Sequence, residues 1–91
     1  MNITVENTHG TGVTITEIRI IETQETFTVS IPPEGSYPIN LPDMDKCHIE
    51  VTYTDPALEE RPEPLARIAP VIDGDKVALV KTPGATKPLL I

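Results

Sequence analysis

Through residue 54 the apolar side chains fall at every second position, and no helical period runs beneath them. Ile3 and Val5, Val13 and Ile15, Ile18 and Ile20, then Phe27, Val29 and Ile31 set the rhythm. Tyr37, Ile39 and Leu41 continue it, and Cys47, Ile49, Val51 and Tyr53 form its cleanest run. A period of two places one face of each segment on a core and the other in water, which is the pattern of β-strands. Five short strands are expected before residue 55. Parity changes between Ile15 and Ile18, so a β-bulge or bend is expected near Thr16-Glu17. The alternative is that Ile18 or Ile20 faces a partner or a second sheet. Pro38 lies inside the strand 36–41, and proline donates no ladder hydrogen bond, so that strand is expected at a sheet edge. Pro32-Pro33-Glu34-Gly35 ends the strand before it, with Gly35 permitting the turn.

Beyond residue 54 the signals are punctuation more than period. Asp55-Pro56 can cap one helical turn over 55–61, and Pro62 and Pro64 stop it. This acidic connection is expected to cross between sheets. Strands are expected over Leu65–Ile72 and Lys76–Lys81, joined by a hairpin at Asp73-Gly74. The chain then divides into a β-sandwich domain, residues 1–81, and a C-terminal tail, 82–91. That tail ends in Leu89-Leu90-Ile91, which is expected to dock on its own sheet or on a neighbouring subunit.

Seven short strands with turn signals every 8–12 residues predict an all-β fold, a small sandwich of antiparallel strands. The stretch Val5-Glu6-Asn7, then Val13-Thr14-Ile15-Thr16-Glu17-Ile18, then Ile31-Pro32-Pro33-Glu34-Gly35-Ser36 resembles the opening half of immunoglobulin-like modules of bacterial, archaeal and phage type. The resemblance covers residues 3–41, implies the immunoglobulin-like sandwich and carries over no functional residue.

Chemistry-bearing residues are few. Cys47 and His48 are neighbours on a strand and therefore point to opposite faces, so they cannot share a metal ion. The expected roles are a buried thiol and a surface imidazole. His9 sits in a glycine loop without a matched ligand set. Asp43-Met44-Asp45 and Asp73-Gly74-Asp75 are too short for the ligand count calcium needs. Ser30 and Ser36 lack a nucleophile pattern, and the acids fall on loops or outward positions. Thr14/Thr16, Thr26/Thr28 and Thr52/Thr54 read as the wet faces of strands. No catalytic residue, metal ligand or cofactor is expected, so the chain is expected not to be an enzyme.

The charge of -7, from 14 acids against 7 bases, opposes phosphate backbones, so no direct nucleic-acid binding is expected. No apolar run reaches the ~20 residues of a membrane span, and Met1-Asn2-Ile3-Thr4 has no signal-peptide character. A single cysteine fits a reducing cytoplasm, or a virion assembled there. The function expected is a structural or assembly module, a decoration or joining protein of a phage particle. It would bind protein subunits and homo-oligomerise through Pro38, Ile39 and Asn40 at an edge and Leu89, Leu90 and Ile91 at the tail. Two alternatives stand beside it. One is an acidic inhibitor in which Glu59, Glu60, Glu63, Asp43 and Asp45 imitate phosphates. The other is a calcium-assisted adhesin-type module.

Overall fold

A computed structural model describes residues 1–54, 65–81 and 89–91. The strands are β1 (Asn2–Asn7), β2 (Thr14–Ile20), β3 (Thr26–Ile31), β4 (Ser36–Asn40), β5 (Lys46–Thr54), β6 (Leu65–Ile72), β7 (Lys76–Val80) and β8 (Leu89–Leu90). They form two four-stranded sheets, β4-β1-β7-β8 and β3-β2-β5-β6. The all-β sandwich is therefore as the alternation requires. Its core is aliphatic: Ile3, Val5, Ile39, Val77 and Leu79 from one sheet meet Ile15, Ile18, Ile20, Ile49, Val51 and Tyr53 from the other. Fully burying one such side chain contributes about 2–3 kcal/mol.

Between Ile15 and Glu17 the register of β2 shifts against both neighbours. Ile15 pairs with Tyr53 and Glu17 with Thr52, so Thr16 is the extra residue opposite β5. The inserted residue returns both parity sets to one face, and Ile15, Ile18 and Ile20 are all fully buried.

Three expectations are corrected. First, the pairing is not all antiparallel, because β1 and β7 run parallel, Thr4↔Lys76 through Asn7↔Leu79. Second, Asp73-Gly74 does not close a hairpin: it carries the chain from β6 in one sheet to β7 in the other. The cause is a clamp onto the start of β1. Asn2 N–H donates to Asp73 Oδ1 at 2.8 Å, Gly74 N–H to Asn2 C=O at 2.8 Å, and Thr4 N–H to Asp75 C=O at 3.0 Å. The turn so launches β7 alongside β1 in the same direction. Third, β5 and β6 pair directly, Lys46↔Ile72 through Tyr53↔Leu65, so the chain between them links neighbours of one sheet. The helical turn expected over 55–61 lies outside the described residues. At the turn Pro32-Pro33-Glu34-Gly35 the positive φ belongs to Glu34 (φ 71). Gly35 is required for space, because a Cβ there would sit 2.9 Å from Pro32 C=O.

An immunoglobulin domain numbered the same way orders its strands 1-2-5-4 facing 3-6-7. The order here differs, and it has a simple consequence. In each sheet the two strands from β1–β4 lie on one side and the two from β5–β8 on the other.

Candidate functional site

The six residues expected to bind a partner are not brought together. β4 and β8 occupy opposite edges of one sheet, so no single surface holds both groups. At β4, Ile39 points into the core at 3% exposure, while Pro38 and Asn40 face solvent. Met1 and Leu41 exchange backbone hydrogen bonds. Alternation along the ladder then places Ile39 and Tyr37 in bonded pairs with Ile3 and Val5. The backbone groups of Ser36, Pro38 and Asn40 turn to the free edge. Pro38 thus costs the sheet nothing and removes a donor where a foreign strand would seek one. The tail pairs with its own sheet: Leu90 lies opposite Leu79, and Ile91 and Ala78 exchange both backbone bonds at 2.8 and 2.9 Å. Leu90 packs against the core, and Ile91 is left exposed.

The structure offers a different surface. Among the described residues the exposed large apolar side chains are Ile68 (60%), Ile72 (58%) and Ile91 (73%). They lie on or beside β6 and β8, the edge strands of the two sheets, which contact each other along one flank. On β6 the exposed residues are Ala66, Ile68, Pro70 and Ile72, an apolar stripe down the outer face. Their backbone groups also turn outward. His48 directs its C=O to Ile21 N–H and its N–H to Glu22, away from β6. Residues paired with even positions of β5 therefore make no ladder bonds to it. The sequence did hold a signal for this. Apolar residues occupy both parities of 68–72, which a half-buried edge strand does not need for its core.

At the Ile72 end the stripe opens into a shallow cavity of about 290 Å³ lined by Lys46, His48, Pro70, Val71 and Ile72 among others, with Glu22 at its rim. His48 Nδ1 sits 2.6 Å from Glu22 Oε1, and the His48 amide donates to both carboxylate oxygens at 2.9 and 3.0 Å. That amide, with the ring behind it, holds the Glu22 carboxyl below its ordinary value. Cys47 also borders this cavity but is buried in the core, and desolvation pushes its thiol up. It is a poor nucleophile there. His9 and His48 are placed at opposite ends of β2, and His9 Nδ1 is 3.4 Å from Glu34 in solvent. No group of three or more His, Cys, Asp or Glu among the described residues could hold a metal ion. The Asp73 and Asp75 carboxylates accept backbone amides of Asn2 and Ile72. Asp43 and Asp45 are exposed beside β5, and Glu59, Glu60 and Glu63 lie outside the described residues.

Charge divides along the same line as the strands. Arg19 is the one base that precedes Lys46 in the sequence, so β1–β4 and their loops carry acids almost unopposed. Among the described residues from Lys46 onward, Glu50, Asp73 and Asp75 stand against Lys46, Arg67, Lys76 and Lys81, so acids and bases nearly balance there. The apolar flank thus belongs to the near-neutral half, and the acidic half lies across the sandwich from it.

No protein-family model, curated protein or solved structure matches this chain.

Proposed function

We propose that this protein is a non-enzymatic binding module that docks on a protein subunit of a larger assembly along its β6/β8 flank. The observation that carries the reading is the convergence of Ile68, Ile72 and Ile91 on two adjacent sheet edges. Exposed isoleucines scattered singly need no explanation, whereas a cluster on edge strands that have no further strand partner among the described residues marks an interaction surface. The near-neutral charge of that half removes the repulsion that would oppose apolar contact. The acidic half keeps the unbound subunit soluble.

Photo-crosslinking amino acids placed singly at Ile68, Ile91, Thr28 and Asn40 test this in the producing cell. Capture is expected at 68 and 91 and not at 28 or 40, and it should persist at high salt. Equal capture at all four positions, or none at 68 and 91, would overturn the reading. A second reading draws support from the unopposed acids of the β1–β4 half: charge mimicry toward a basic partner. Binding of that kind weakens as salt rises, because exposed charges are screened within about 8 Å at physiological ionic strength. Crosslinkers added at Asp43 and Glu34 that alone capture a partner, with capture lost in high salt, would favour it.

A further inference from the structure

Resting on that reading, we infer that the flank's occupant is a second copy of this chain, joined β6 to β6 across a two-fold axis at Ile68. The edge is self-complementary. Ala66, Ile68 and Pro70 turn their backbone groups outward. Ile72 does so too, but its N–H and C=O are already used by Asp75. An antiparallel partner centred on Ile68 sets Ile68 opposite Ile68 and Ala66 opposite Pro70. Ile68 then donates to and accepts from its symmetry mate. Each Ala66 N–H donates to the facing Pro70 C=O. The bonds that proline withholds are the two that would end on Ala66 C=O.

Side chains agree with that register. Residues whose backbone faces outward on β6 are the same ones whose side chains are exposed, so strand pairing stacks Ile68 on Ile68 and Ala66 on Pro70. The two β3-β2-β5-β6 sheets become one continuous sheet. Charge favours this arrangement over the others. Two chains of -7 repel, and only a contact through the β5–β8 halves holds both acidic halves at the far ends of the dimer. Pairing through β4 would bring those halves together and would meet Pro38.

The paired edge is short, so the dimer belongs to the small, concentration-dependent class, with a Kd of about 10–100 µM. Because the remaining repulsion is screened by salt, added salt tightens it. Charge mimicry predicts the opposite sign.

Sedimentation of the full chain over about 10 µM to 1 mM reads the equilibrium directly. Ile68→Asp is expected to weaken it by at least about 100-fold, because two carboxylates would face each other on the axis. Thr28→Asp, on the far edge, should leave it unchanged, and circular dichroism melts confirm that both variants fold. Ile68→Cys gives the register. Bonded antiparallel pairs hold their Cα atoms about 5.5 Å apart, within disulfide reach. Mild oxidation should therefore link Ile68→Cys chains but not Thr28→Cys chains, with buried Cys47 left in place. A protein that stays monomeric at the highest concentration overturns the dimer. So does a dimer indifferent to Ile68→Asp. If position 68 nonetheless crosslinks to another protein, the docking function stands and only the second copy is wrong.

Discussion

Asn7 shows how one polar side chain can hold the corner of an apolar sandwich. It is completely buried, both of its side-chain donors are used and its oxygen is engaged. Its Nδ2 donates to Val13 C=O at 2.8 Å and Ile31 C=O at 2.9 Å, and its Oδ1 accepts from Thr11 Oγ1 at 2.6 Å. It ties the end of β1 to the start of β2 and the end of β3. Asn7→Asp keeps the shape but loses both donors and buries a charge. We expect it to cost at least about 3 kcal/mol in urea denaturation at pH 7, since unpaired buried carbonyls cost about 1–3 kcal/mol each. A loss under ~1 kcal/mol would mean water serves the corner. In the sequence Asn7 reads as the first residue of a polar loop, because nothing in composition distinguishes a saturated buried amide from an exposed one. Glu22 is the opposite case, an exposed carboxylate with a definite task. Its value lies below the ordinary 4.5 because the His48 amide favours the charged form. A depressed carboxylate stabilises the fold above its unfolded value, and that contribution is lost as pH falls through the lowered folded value. Glu22→Gln should therefore be less stable than the wild type at pH 7, and the gap should close as pH falls below about 4. A gap constant from pH 7 to 3 would assign the effect to packing.

At the scale of elements, the period-two rhythm was sufficient to locate the strands and their inward faces. The parity break even located the bulge, because two buried sets on one regular strand are geometrically impossible. What alternation cannot supply is the neighbour of each strand. Asp73-Gly74 has hairpin chemistry, yet its carboxylate and amide bind Asn2, a residue 71 positions away in the case of Asp73, and so the turn changes sheets. The candidate site was missed for the same reason. Edge status depends on pairing, and Pro38 marked one edge while Pro70 marked another that carried more apolar surface. The bulge yields a sharp prediction. Thr16 is the residue the bulge takes up, so deleting it brings Ile15, Ile18 and Ile20 into strict alternation and leaves all three on the core face. The deletion should therefore keep a cooperative melt, with a loss of about 0.5–3 kcal/mol from repacking against β3 and β5. Loss of the cooperative melt would mean that the bulge does more than restore parity.

For the whole molecule, the arrangement of chain halves decides which contacts are structural and which are free. β8 closes the edge of β7 and lays Leu90 on the core, so the terminal apolar residues have an intramolecular task before any intermolecular one. Deleting Leu89–Ile91 removes the paired bonds between Ala78 and Ile91 and uncovers the core beneath Leu90. The expected loss is about 2–4 kcal/mol, from one large apolar side chain and two hydrogen bonds. Any binding defect of that truncation is then confounded with instability, and it cannot report on docking. Ile91→Ser separates the two effects. Ile91 is mostly in solvent and is held through its backbone, so the substitution should change stability by no more than about 0.5 kcal/mol. It does strip apolar surface from the flank. Urea titrations of the truncation and of Ile91→Ser, run beside crosslinking from position 68, make the comparison. Equal stability of the truncation and the wild type would mean β8 is not held on its own sheet. A stable Ile91→Ser that still crosslinks at full yield would confine the docking surface to β6.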